Sequence, residues 1–118
     1  MGRLTLELST QQFLANKINA KQDFTYDYQT NPERYVVGLE NLFTGTNPSI
    51  QGSALDIARI GLQANTGDCF GGWLDTDDGV YYVDISTRTN NLHTALKQAR
   101  ERGEVAIYDS LKDVVIYV

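Results

Sequence analysis

The sequence has very little of the residue types that define several protein classes. It contains one cysteine among 118 residues, so no disulfide can form within the chain, and we expect a reducing, cytoplasmic setting. Only two prolines, a hydrophobic content of 42% and no low-complexity stretch argue against disorder. Apolar runs reach only a few residues, far short of the roughly 20 that a membrane helix needs. We therefore predict a single globular domain over residues 1–118, with no membrane partner.

Groups for common enzyme chemistries are also scarce. Cys69 and the single histidine, His93, could act as nucleophile and base only if the fold brings them within hydrogen-bond reach. Glu101, Glu104 and Asp109 are scattered acids that are better explained as solvated helix or strand residues. Soft zinc ligands are nearly missing, and no glycine-rich phosphate loop follows a strand. We predict no enzyme, no cofactor and no metal, and keep a small enzyme using Cys69 and His93 as an alternative.

The negative charge of the chain is concentrated in one segment. The formal net charge is -5, and residues 68–87 carry five aspartates with no lysine or arginine, whereas the other ten acids and ten bases cancel. The following residues 88–102 hold four cations and one acid, which is too small a basic footprint to predict a nucleic-acid partner. The charge pattern instead favours a protein partner with a basic surface.

Hydrophobic periodicity predicts several elements in the N-terminal half. They are a strand at residues 4–9, a short helix around residues 13–18, an edge strand or ordered loop at residues 22–30, a helix at residues 32–43 and a helix beginning near residue 53. The helix at 32–43 rests on Asn31 as N-cap, Pro32 in the first turn and apolar residues at helical spacing before Gly45. Ser53 and Asp56 form a capping box for the next helix.

The C-terminal half predicts two hairpins with a helix between them. The first hairpin turns at Asp78-Gly79, which is a strong hairpin signal. The helix has Asn90 or Asn91 as cap and Gly103 just past its end, and two further strands flank residues 110–113. The expected class is α+β: an antiparallel sheet built from hairpins, a helix between the two C-terminal hairpins, and two further helices from the N-terminal half.

The register of the acidic hairpin decides which side chains point away from the core. A two-residue Asp78-Gly79 loop pairs Asp77 with Val80 and Trp73 with Asp84. One face then holds the core residues Leu74, Thr76, Tyr81, Val83 and Ile85, and the other holds Trp73, Asp75, Asp77, Val80, Tyr82 and Asp84. A loop that also includes Asp77 slips the register by one and moves Trp73 to the core side. We favour the two-residue loop.

The second face of the hairpin has the make-up of a contact surface. It combines carboxylates with large aromatic area, which is unusual for a solvated face. The alternative is purely structural, because aromatic pairs stabilise hairpins and aspartates initiate turns. A calcium loop is not predicted, since glycine and valine occupy the positions where that loop needs an oxygen ligand and then glycine. The predicted partner-binding residues are Trp73, Asp75, Asp77, Asp78, Tyr82 and Asp84.

Two short stretches resemble a known protein family. The residues that carry the resemblance are Asn65, Gly67, Gly71, Trp73 and Asp75, followed after the predicted helix by Ala106, Ile107 and Asp109. The layout is similar to the N-terminal part of ArdA-type antirestriction proteins, which phages and other mobile elements encode. That family imitates DNA with acids spread along an elongated dimer, whereas here bases balance the acids outside the hairpin. The resemblance therefore implies an accessory protein that binds a host protein, possibly inhibiting a defence system.

A rival interpretation is a virion or assembly protein. In that case Trp73, Tyr82 and the exposed strand edges would form a contact between copies of the chain. The two interpretations use the same aromatic residues, and they differ in whether the partner is another protein or a second copy.

Overall fold

Three helices and six strands make up the part of the chain, residues 2–48, 53–64 and 66–118, that a computed structural model describes. The helices are α1 (Gly2–Asn19), α2 (Ser53–Gln63) and α3 (Leu92–Arg102). The strands are β1 (Phe24–Asp27), β2 (Tyr35–Gly45), β3 (Cys69–Leu74), β4 (Tyr81–Thr89), β5 (Ala106–Asp109) and β6 (Val114–Tyr117). They form one antiparallel sheet in the order β1-β3-β4-β2-β5-β6. The predicted α+β class and its general arrangement are confirmed.

The prediction of a strand at residues 4–9 is wrong. These residues belong to α1, which begins at Gly2 and continues through the predicted short helix to Asn19. Six residues of alternating pattern are too short to decide between strand and helix when a helical pattern follows directly. The edge-strand alternative for residues 22–30 is correct, because β1 lies at one edge of the sheet.

The prediction of a helix at residues 32–43 is also wrong, since β2 occupies this segment. Asn31 adopts a left-handed conformation with φ 58° and not the extended conformation of an N-cap. The pairing of β2 with β4 has irregularities between Gly38 and Glu40 and between Asn41 and Phe43. Each irregularity adds an unpaired residue, and such bulges break the period of two that would have identified the strand.

All three helices cover the same face of the sheet. The main core joins α1 and α2 to β3 and β4, and its buried residues are Leu14, Ala15, Ile18, Ala54, Ile57, Ala58, Phe70, Tyr81, Val83 and Ile85. A second core packs Ala95 and Ala99 of α3 against Val37 of β2 and Ile107 of β5. Val37 pairs with Thr87, which alternation places on the same side of β4 as the main core. The opposite face of the sheet therefore carries none of the helices in the described part of the chain.

The boundaries of α3 follow its predicted caps. The Asn91 side chain accepts a hydrogen bond from the Thr94 N–H, and Gly103 ends the helix in a left-handed conformation with φ 73°. The Glu104 N–H then donates to the Ala99 carbonyl at 2.9 Å, a pattern that reverses the chain into β5. Among the described residues, no helix is long and apolar enough to cross a membrane.

Candidate functional site

The acidic hairpin of β3 and β4 has a longer loop than either register we considered. Asp75 and Val80 close the loop, with the Asp75 N–H donating to the Val80 carbonyl at 2.9 Å, so four residues, 76–79, form it. Leu74 therefore pairs with Tyr81. Both the two-residue and the three-residue loop are wrong. Because the true register differs from the favoured one by two residues, every strand side chain keeps its predicted face.

Trp73 and Tyr82 form an aromatic stack on the face of the sheet without helices. They are direct cross-strand partners, their ring centres lie 5.6 Å apart, and the planes are inclined by 25°. The Trp73 side chain is 48% exposed, whereas Tyr81 and Val83 on the other face are buried. The predicted assignment of Trp73 and Tyr82 away from the core is confirmed, and it gives a flat aromatic surface open to a partner.

A groove runs along this uncovered face of the sheet. Its volume is about 680 Å³. Small residues from the central strands lie along it: Gly38, Gly71, Ser86 and Ala106. Aromatic rings stand toward its two ends, with the Trp73–Tyr82 stack at one and Tyr108 and Tyr117 at the other. We call this feature the groove.

The charge of the groove is negative throughout. Among the described residues, its lining includes the five acids Asp23, Asp75, Asp84, Glu104 and Asp113, and no lysine, arginine or histidine. Four of these carboxylates accept hydrogen bonds: Asp23 from the Leu74 N–H, Asp75 from the Asp77 N–H, Asp113 from the Tyr108 hydroxyl, and Asp84 as described below. Asp84 and Glu104 lie closer to the centre of the sheet.

Asp84 projects from β4 between Gly71 of β3 and Asn41 of β2. The Asn41 side-chain amide donates to its Oδ1 at 2.8 Å. Burial raises the pKa of Asp84, and the hydrogen bond from Asn41 only partly offsets that effect. The carboxylate is therefore held in place on the sheet by a neutral donor, without a cation against it.

Glu104 reaches the same surface from the end of α3. Its carboxyl group lies over Gly38, where an added Cβ would come within 2.7 Å of Oε1. Burial raises the pKa of Glu104, the charge of Asp84 raises it further, and nearby Arg102 lowers it. Arg102 itself donates to the Thr87 hydroxyl at 2.7 Å and to main-chain carbonyls. Asp84 and Glu104 thus both line the groove, and the charge of Asp84 disfavours that of Glu104.

The predicted partner-binding residues divide between the groove and the loop. Trp73, Asp75, Tyr82 and Asp84 line the groove. Asp77 and Asp78 lie in the exposed loop beyond it, where Asp78 Oδ1 accepts from the Val80 N–H at 2.9 Å. The loop aspartates therefore stabilise the turn, as the structural alternative expects.

At the end of the sheet far from the hairpin loop, two aspartates are each paired with an arginine. Arg88 donates from Nε and Nη2 to both oxygens of Asp27, at 2.6 and 3.3 Å. Arg34 forms a second bidentate pair with Asp109, at 2.8 and 2.7 Å, and these hydrogen bonds lower the pKa of Asp109 to about 2. Asp109 is buried, so its prediction as a solvated residue is wrong.

Cys69 is buried, whereas His93 is exposed. Cys69 is buried in β3 and lies 3.9 Å from the Ser86 carbonyl, to which its thiol donates; burial raises its pKa to about 11. A nucleophilic cysteine needs the opposite shift. His93 is exposed in the first turn of α3. Within the described residues no hydrogen bond joins the two side chains, and no group of three or more metal-ligating residues occurs.

Sequence reasoning missed the part of the groove that β2, β5 and β6 provide. Glu104 is exposed, as the prediction of a solvated residue expects, but sequence reasoning did not place it in the groove, and it placed Gly38 inside a helix. Tyr108 and Tyr117 were assigned to a strand but not to a site. Period-two alternation in residues 106–117 does put Ala106, Tyr108, Val115 and Tyr117 on one face, but only the β2–β5 pairing places that face beside Asp84.

Comparison of the chain with protein-family models, with curated proteins and with solved structures finds no match. The residues that carry the resemblance to ArdA-type proteins differ from one another in their surroundings. Trp73 and Asp75 line the groove, Asp109 is paired with Arg34, and Asn65 lies outside the described residues.

Proposed function

We propose that the protein is a non-enzymatic binding protein whose groove holds the basic surface of a protein partner. The observation that carries the proposal is the composition of the groove: among the described residues that line its roughly 680 Å³ are five carboxylates, the exposed rings of Trp73 and Tyr117, the half-buried rings of Tyr82 and Tyr108, and no basic side chain. Negative charge of this kind complements a basic partner and acts mainly on association rate and specificity.

The Trp73–Tyr82 stack supplies the anchor for such a partner. Tryptophan and tyrosine are enriched among the residues that dominate binding energy at protein interfaces. Both rings lie on the rigid strands of the hairpin, and they are already stacked 5.6 Å apart before a partner binds. Little conformational entropy is therefore lost when a partner covers them.

The resemblance to ArdA-type proteins supports a biological setting for this binding. We propose an accessory protein of a phage or other mobile element that acts in the cytoplasm on a host protein, possibly one of a defence system. Anti-defence genes beside this gene would support that setting. Head or tail genes at the same position would favour the assembly alternative.

Capture experiments with an aromatic variant test the binding function. Immobilised protein is exposed to a lysate of the source organism, and wild type is compared with Trp73→Ala. We expect specific proteins to bind wild type at low salt, to dissociate as salt rises, and to bind the variant at least tenfold less. Leu111→Ala is the matched control, because Leu111 is 73% exposed and does not line the groove.

Two results would contradict the proposal. One is recovery of the same proteins by wild type and by Trp73→Ala. The other is equal loss of capture in the Leu111→Ala control. Melting temperatures of all three proteins, measured beforehand, ensure that differences in capture do not arise from unfolding.

The exposed residues of β6 favour homo-oligomeric assembly as a second candidate. β6 is the edge strand of the sheet, and Val114, Val115 and Tyr117 are exposed, Tyr117 by 78%. An exposed edge of this kind can pair with a second copy. Light scattering over a dilution series tests it: a stable oligomer at micromolar concentration supports assembly, and a monomer excludes it.

A further inference from the structure

Asp84 and Glu104 are the groove carboxylates that a cation would stabilise most. Asp84 receives one hydrogen bond from the neutral Asn41 amide, and the Glu104 side chain makes none within the described residues. The nearest base, Arg102, already donates to Thr87 and to the backbone of β2. The Glu104 carboxyl group lies over Gly38, which pairs with Ser86, two residues along β4 from Asp84, so both negative charges lie on one face of the sheet and the charge of Asp84 disfavours that of Glu104. A cation placed between them would relieve this repulsion.

The molecule contains an internal example of how such a cation is held. The Arg34 guanidinium makes a bidentate pair with Asp109 and lies 4.9 Å from the centre of the Tyr35 ring. One planar cation is thus bound by a carboxylate and an aromatic face together. In the groove, Asp84 and Tyr82 lie two residues apart on β4 and project to the same face. The groove repeats the carboxylate and the aromatic ring but has no arginine of its own.

We infer that the groove docks a peptide segment of the partner that carries an arginine, with the guanidinium between Asp84 and Glu104. The inference rests on the proposed function and adds the chemistry of the partner. Arginine fits better than lysine, because its planar fork can pair with carboxylates and stack on a ring at once. A peptide segment fits because the groove extends along the uncovered face of the sheet with a volume of about 680 Å³.

Trp73 provides a direct readout, since it is the only tryptophan and lies in the groove. The probe is a capped pentapeptide of glycine, valine, arginine, valine and glycine, titrated into the full-length protein while Trp73 emission is followed. We expect a saturable change. The same peptide with citrulline, which keeps the shape but not the charge, should bind about tenfold more weakly or worse. A lysine peptide should fall between the two.

Variants of the two carboxylates locate the guanidinium. Asp84→Asn and Glu104→Gln should each weaken binding of the arginine peptide by about tenfold. Glu101→Gln is the matched control, because Glu101 is exposed on α3 and does not line the groove; its affinity should be unchanged. Gly38→Ala displaces the flexible end of Glu104 without a clash with the backbone, so it should weaken binding several-fold at an unchanged melting temperature.

The outcomes separate this inference from the proposed function. Equal binding of the arginine and citrulline peptides, or no change in Trp73 emission with either, overturns the inference, and lysate capture that depends on Trp73 would still support the proposed function. A shift in Trp73 emission on concentrating the protein alone identifies a second copy as the occupant, and it also overturns the inference. If lysate capture does not depend on Trp73, the proposed function itself fails.

Discussion

Carboxylates at one end of the six-stranded sheet are paired with arginines, whereas those in the groove are not. Where β1, β4 and β5 end, Asp27 is paired with Arg88 and Asp109 with Arg34, each through two hydrogen bonds. In the groove, Asp84 faces only a neutral amide, and no described base forms an ion pair with it. The pKa of Asp109 is accordingly lowered, whereas the pKa of Asp84 is raised.

The carboxylates paired with arginine stabilise the folded state, whereas a carboxylate without a cation lowers its stability. A buried carboxylate with a bidentate arginine recovers much of its desolvation cost. A carboxylate that is desolvated without a cation lowers the stability of the folded state at neutral pH. Unfavourable groups of this kind are characteristic of functional sites. The contrast therefore supports placing the function in the groove and the structural role at the arginine-paired end.

The largest expected effect comes from removing Arg88. Its side chain is 7% exposed, and besides Asp27 it donates to the Glu33 carbonyl and the Ser110 hydroxyl. Arg88→Met leaves the Asp27 carboxylate without its cation, and we expect a loss of about 3 kcal/mol in the free energy of unfolding, measured with urea. The matched control is Arg59→Met, which removes an exposed pair and should cost below about 0.5 kcal/mol. Equal losses would show that the pairing does not set the stability of this end.

A smaller, pH-dependent effect is expected for Asp109→Asn. The carboxylate has a pKa near 2, lowered from 3.8 chiefly by the hydrogen bonds from Arg34. A lowered pKa means that the contribution is complete above about pH 5 and is lost progressively as the pH falls toward about 1. The variant should melt roughly 5 °C below wild type at pH 7, and the gap should close near about pH 1. A gap that is the same at both pH values would contradict this assignment.

The faces of the hairpin were predictable from sequence although its loop was not. Alternation alone assigns Trp73 and Tyr82 to one side and Tyr81 and Val83 to the other, and a register error of two residues leaves that assignment intact. The four-residue loop depends on hydrogen bonds that the Asp77 and Val80 N–H groups donate to the carboxylates of Asp75 and Asp78. Those bonds compete with the tighter Asp78-Gly79 turn, and the spacing of residues does not decide between them.

The groove was only half predictable, for a physical reason that concerns β2. The two bulged residues of β2, Leu39 and Leu42, are apolar and lie three positions apart in the sequence. This spacing resembles that of one face of a helix. With β2 taken as a helix, nothing connects the hairpin to β5, and Glu104 has no reason to lie beside Asp84. Long-range strand pairing brings these residues together, and local periodicity carries no information about it.

The smallest stability effect, and the sharpest test of the contrast, is expected for Asp84→Asn. Burial raises the pKa of Asp84 above 3.8, so the folded protein holds this proton more tightly than the unfolded chain does. Ionisation therefore costs stability as the pH rises above that value. The variant, whose amide can still accept from Asn41, should melt roughly 1–3 °C above wild type at pH 7, and the gain should vanish below pH 3.8. The same Asp-to-Asn change would then act with opposite sign on Asp84 and Asp109. A lower melting temperature at pH 7 would instead make Asp84 a structural residue like Asp109, and the groove would lose the feature that distinguishes it.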